Sequence, residues 1–118
     1  MQRKATKNTR TANAEERRFH AFTKESDCIV CGNPAPSIVH HCMGACYKHN
    51  KQLIGHWFVI PLCQSCDDVI THGSRRKFKD TFGLQGDYWI KHHANYAFQN
   101  INYIAPLEAI ESIKDCGE

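Results

Sequence analysis

Val59-Ile-Pro-Leu-Cys63-Gln-Ser-Cys66-Asp67-Asp68-Val-Ile-Thr-His72-Gly73 is the stretch whose reading decides how this chain folds. A β-forming run gives way to a Cys-x-x-Cys knuckle, and the knuckle opens at once into a segment carrying two carboxylates and a histidine. Working outward, the matching knuckle is Cys28-Ile-Val-Cys31-Gly-Asn-Pro, in which Gly32 and Asn33 can take the tight turn that aims two sulfurs at one ion. Two such pairs supply the four thiolates of a tetrahedral structural zinc site, Cys28, Cys31, Cys63 and Cys66. The 31 residues between Cys31 and Cys63 exceed a simple finger loop, so an element of its own, a hairpin, must fill the gap.

At 118 residues, 42% of them apolar, the chain has room for one domain with a small core, which a metal staple would reinforce. Seven cysteines could signal a disulfide framework, but Met-Gln-Arg-Lys leads into polar residues and no secretory leader is read. The expectation is a reducing cytoplasm, with zinc as the reason for the thiols. No run approaches the roughly 20 apolar residues that span a bilayer. Cys42, Cys46 and Cys116 remain; Cys42-x3-Cys46 offers half of a second zinc site, but small buried or free thiols are the simpler reading.

The net charge of +3 is unevenly spread. Arg3, Lys4, Lys7, Arg10, Arg17, Arg18 and Lys24 crowd residues 1–24, and Arg75, Arg76, Lys77 and Lys79 form a second cluster; from Asp80 onward the chain is acidic. Basic clusters on both sides of the metal motif suit a polyanion, because each phosphate neutralised releases condensed counterions.

Residues 1–13 carry no apolar period and read as a disordered basic arm; residues 14–118 read as the single domain. A helix is predicted over 14–24, with Asn13 as N-cap and Phe19 and Phe22 turned to the core. A strand at 37–41, a long loop and a strand from Trp57 to Ile60, stopped by Pro61, make a splayed hairpin. Helices follow at 67–72, 74–82, 87–99 and 106–116, the last opening on Pro106. Trp57, Tyr88, Trp89 and Tyr96 read as core rather than as a partner-binding surface.

If the four thiols meet at one ion, His40/His41 and Asp67/Asp68 are drawn together, since each lies a few residues from a fixed sulfur. On a strand His40 and His41 face opposite ways, so both can act only where the strand ends; one is read as a metal ligand and the other as a general base. Helical spacing pairs Asp68 with His72 at i and i+4, while Asp67 adjoins Cys66. A His, Asp and His cluster beside basic side chains fits phosphodiester hydrolysis. Eight histidines also meet by chance: His92 and His93 read that way, and His20, His49 and His56 read as loop or surface residues.

Cys28-Ile-Val-Cys31, Val39-His40-His41, Val59 through Cys66 and Thr71-His72-Gly73 resemble the HNH endonucleases of ββα-metal fold, and within them the small phage and prophage recombination-enhancement nucleases. The resemblance spans roughly residues 17–96. It implies an α+β, treble-clef-like, zinc-stapled core with additional helices. It also implies His41 as general base, His40, Asp67 and His72 as ligands of a catalytic cation, and Asn50 or His49 as the residue orienting the base. Relatives commonly place His directly after the last zinc ligand; this chain has Asp67, a carboxylate suited to magnesium or manganese. The function so implied is a DNA endonuclease or nickase of phage recombination or repair, with Arg17, Arg18, Arg75, Arg76, Lys77 and Lys79 on DNA and a RecA-type recombinase filament as partner. The competing expectation is a zinc-stabilised DNA-binding module without catalysis.

Overall fold

The computed structural model describes residues 12–42, 55–99 and 104–114. Helix α1, Ala14–Lys24, starts where the sequence says it should. The Asn13 side chain accepts from the Glu16 N–H at 2.8 Å, and Glu16 Oε1 accepts in return from the Asn13 N–H at 2.9 Å. Such a reciprocal cap contributes about 1 kcal/mol. Phe19 is fully buried and Phe22 packs beside it.

Strand β1, Ile38–His41, pairs antiparallel with β2, Val59–Leu62, in the register His40 opposite Ile60 and His41 opposite Val59. Predicted at Trp57–Ile60, β2 in fact begins two residues later and runs through Pro61. Each shift has a structural cause. The Val59 N–H turns back onto the Trp57 carbonyl at 2.9 Å, a three-residue turn about Phe58 that keeps Trp57 out of the strand. Pro61 is tolerated because its carbonyl faces away from β1, accepting the Ile29 N–H at 2.9 Å; the amide hydrogen that proline lacks would have pointed to that outer side.

Helix α2, Gln64–Asp68, continues directly into one π-helical turn, Val69–Gly73. Helix α3, Arg75–Phe82, is capped by Ser74, whose hydroxyl accepts from the Lys77 N–H at 3.0 Å. Gly83, at φ +109°, stops it in a conformation other residues rarely adopt. Helix α4, Gln85–Gln99, begins two residues before the predicted 87, and its first two residues are buried. Helix α5, Leu107–Lys114, follows Pro106, whose carbonyl accepts the first helical bond from Ala109 at 2.9 Å. The described residues therefore form a small α+β domain of five α-helices and a two-stranded sheet.

The core lies where α1 and α4 close on the sheet. Phe19 meets Tyr96 at 4.9 Å and Trp57 at 5.6 Å between ring centroids, and the Trp89 indole N–H donates to the Trp57 carbonyl at 2.7 Å. Trp57, Trp89 and Tyr96 are buried, as their residue type suggested. His92 and His93, read as histidines brought together by chance, are core residues too. Thr23 donates its one hydroxyl hydrogen to the Phe19 carbonyl, so the His92 Nε2–H must be the donor in its 2.8 Å bond to Thr23. His93 Nε2 accepts from the Ala105 N–H at 3.0 Å. Among the described residues no helix is long and apolar enough to cross a membrane.

Candidate functional site

The two knuckles meet. The Sγ atoms of Cys28, Cys31, Cys63 and Cys66 all lie within 4.8 Å of one another, and Cys31 and Cys63 approach to 3.5 Å. Each pair is set by its local fold. In the first knuckle Gly32, at φ +81°, returns its N–H to the Cys28 carbonyl at 2.9 Å, closing the turn that aims both sulfurs one way. In the second, Cys63 is the N-cap of α2 and Cys66 lies in its first turn. Zinc–sulfur bonds of about 2.3 Å in a tetrahedron require sulfurs roughly 3.8 Å apart, so this donor set fits zinc.

The electrostatics point the same way. For Cys66, burial and then the Cys63 and Cys28 thiols push the pKa far up. For Cys63, burial opposes ionisation, but the Cys66 N–H, the Asn33 side chain and the neighbouring thiols draw the value down to about 6. Four sulfurs this close cannot all ionise by themselves; a dication between them removes the conflict. Cys42 is buried and stands outside the cluster, while Cys46 and Cys116 lie outside the described residues.

Beside the cage the hairpin delivers the histidines. His40 points inward at 5% exposure and His41 outward, the alternation a strand imposes, and β1 ends there. His40 Nδ1 sits 2.8 Å from Asp67 Oδ1, and its Nε2 is 3.3 Å from Gln85 Oε1 at the start of α4. The other Asp67 oxygen accepts from the Thr71 hydroxyl at 3.2 Å. The 2.8 Å separation is that of a hydrogen bond between the imidazole and the carboxylate.

His72 does not join that pair. Its Nε2 lies 3.6 Å from Asp68 Oδ1, the i,i+4 pairing that helical spacing predicted, and its side chain is 75% exposed. Gln64 also donates to Asp68 Oδ1 at 2.7 Å. The two acidic residues are thus divided, Asp67 to His40 and Asp68 to His72. Asn50 and His49 lie outside the described residues.

Two contributors escape a local reading. Gln85 reaches His40 across 45 residues of sequence. His20 of α1 presents its ring at a right angle to His41, with centroids 5.7 Å apart. Neither carries a signal in its own neighbourhood of the chain.

The basic residues divide likewise. Arg17 and Arg18 are exposed on α1, where Arg17 donates to the Ala12 carbonyl. Arg75, Arg76, Lys77 and Lys79 are exposed on α3, and three of them, with Ser74, line a groove of about 370 Å³. A wider groove, about 730 Å³, runs between the first knuckle and α4, and no candidate catalytic side chain lines it.

The model of a protein family described as of unknown function, DUF968, matches residues 4–100. This chain belongs to the DUF968 family. The DUF968 match takes in both knuckles, the hairpin, the His40–Asp67 pair and α4 up to its end, and leaves α5 outside. No curated protein and no solved structure matches the chain.

Proposed function

We propose that this chain is a metal-dependent endonuclease or nickase that hydrolyses DNA phosphodiester bonds on an HNH-type ββα-metal plan, in phage recombination or repair. The observation that carries this reading is the 2.8 Å His40–Asp67 pair, held where an antiparallel hairpin meets the helix that leaves the four-cysteine cage. His41, the next residue, faces the opposite and exposed side.

A magnesium or manganese ion held by His40 and Asp67 would supply charge neutralisation at the phosphate oxygens. His41 takes a proton from water at an imidazole nitrogen as the water oxygen bonds to phosphorus in line with the departing ester oxygen. The bond from phosphorus to that oxygen breaks, and the oxygen takes a proton from solvent. Arg75, Arg76 and Lys79 hold the neighbouring backbone phosphates. The resemblance to recombination-enhancement nucleases makes DNA carrying a RecA-type filament the natural substrate, in the host cytoplasm.

Nicking of supercoiled plasmid with magnesium or manganese tests this. His41→Ala is expected to lose about 10²–10⁴-fold in rate, the usual worth of a general base; cutting at the wild-type rate would remove His41 from the role. A second reading, a zinc-stabilised DNA-binding module without catalysis, draws on the pairing of His72 with Asp68 and on the hydrogen bonds at both His40 nitrogens. Salt-sensitive DNA binding with no cleavage under any divalent metal selects it.

A further inference from the structure

Resting on the nuclease reading, we infer that His20 is the positioning residue for His41: α1 holds an imidazole edge-on against the general base and fixes where that base points. The argument begins with what holds His20 itself. Its Nε2 lies 2.6 Å from the His56 carbonyl, and since a carbonyl can only accept, Nε2 bears the hydrogen and donates. The His56 N–H in turn donates to Glu16 Oε2 at 2.9 Å. Glu16 is fully buried, and its other oxygen closes the cap on Asn13.

Glu16 and His20 are one helical turn apart on the same face of α1. Together they grip both polar groups of a single peptide residue, the N–H and the carbonyl of His56. That residue lies three before Val59, the cross-strand partner of His41. The clamp therefore ties α1 to the end of the sheet at which the base stands. The His20 ring, anchored at one nitrogen, meets His41 at 5.7 Å and 89°. This is the edge-to-face arrangement in which the positive edge of one ring rests on the negative face of the other.

A base at the end of a strand, exposed to solvent, gains from such a neighbour because proton transfer needs a defined direction. A displacement of about 1 Å can cost on the order of 10²-fold. His20 does not need to touch the substrate for this; it acts through His41.

The test is steady-state nicking by His20→Ala, His20→Gln and His20→Phe, with zinc content and thermal melting measured on each. Positioning through the ring predicts that His20→Ala loses about 10- to 100-fold in kcat at unchanged KM. His20→Phe, which keeps a ring edge, should retain more kcat than His20→Gln, which keeps only a donor for the His56 carbonyl. In a His41→Ala background, His20→Ala should cause no further loss. A purely structural tether predicts the reverse order, with Gln restoring the wild-type rate, and that result would overturn the inference, as would a further loss in the His41→Ala background. Should His20→Ala fail to fold, the Gln and Phe pair decides. Wild-type cutting with equal cutting by all three variants defeats the role of His20 alone, whereas absence of wild-type cutting under every divalent metal defeats the nuclease reading and this inference with it.

Discussion

Withdrawing zinc should unfold this domain, and the size of the effect follows from its dimensions. At about 0.05–0.15 kcal/mol per residue, a chain of this length has a net stability of roughly 6–18 kcal/mol. A structural zinc in a four-thiolate site is worth about 10 kcal/mol or more of folding free energy. The larger part of the stability therefore rests on the cage, although the aromatic core of α1 and α4 is formed by other residues. The knuckles also carry backbone contacts to the sheet and to α2. Ile29 of the first knuckle donates to Pro61 of β2 at 2.9 Å, and the second knuckle starts α2 through the Asp67 N–H bond to the Cys63 carbonyl at 2.9 Å. Purified protein should hold one zinc per chain by elemental analysis. After strong chelation the near-ultraviolet dichroism of buried Trp57 and Trp89 should collapse and the cooperative melt should disappear. Because Cys66 is pushed far up by burial and by the Cys63 and Cys28 thiols, zinc uptake must strip its proton, so apparent affinity should fall as pH falls. A chelated protein that still melts cooperatively within a few degrees of the loaded one would refute the reasoning. Two tight zincs per chain would instead return Cys42 and Cys46 to the ligand set.

Two further outcomes are expected. Burial and the adjacent His93 lower the His92 pKa to about 4, whereas the unfolded chain titrates near the ordinary value of about 6.5. The unfolded state therefore takes up the proton first. The stability is whole above about pH 6.5 and drains away as pH falls towards 4, amounting to about 2 kcal/mol between pH 7 and pH 5. Urea midpoints at those two pH values, with zinc saturating, should show this extra acid loss in wild type and its absence in His92→Gln; parallel pH dependence in the two proteins would contradict it. At the basic groove, Arg75→Ala with Arg76→Ala should weaken DNA binding and reduce the slope of log K against log salt by about 2, one unit for each phosphate contact removed. A slope unchanged within error would take DNA away from that groove.

Most of what could be read from the sequence depends on near neighbours, and the meeting of the two knuckles, which draws His40 towards Asp67, followed from their matching pattern. Spacing alone located both knuckles, and the turn at Gly32 and the cap at Asn13 are local chemistry. Within the helix, Asp68 and His72 pair as their four-residue offset requires. That same offset could not show that Asp67, one residue earlier, turns to His40, because the contact exists only once the hairpin has folded onto α2. The shift of β2 has a local origin instead: Trp57 belongs to the strand by propensity but is drawn out by the turn at Phe58. The role of Pro61 depends on which side of the sheet its carbonyl faces. His20, Gln85, His92 and His93 were opaque for one shared reason, since the partners that give them meaning lie from twelve to sixty-nine residues away.

The register of the hairpin therefore specifies more than packing. Side chains alternate along a strand, so a slip of one residue would place His41 against Asp67 and turn His40 to solvent, exchanging the proposed ligand with the proposed base. A sheet of only two four-residue strands has few ladder bonds with which to resist such a slip. Contacts from outside the sheet hold it instead. The Ile29 N–H fixes Pro61 from the knuckle side, the Cys42 N–H continues the pairing onto the Phe58 carbonyl at 2.9 Å, and Gln85 receives His40 only when that ring faces inward. The sulfur cage anchors the first of these directly, because Ile29 lies between two of its cysteines. A metal in the sulfur cage would thus also help determine which histidine faces the acid, and the proposed catalytic pair at 2.8 Å would be set by residues that never touch it.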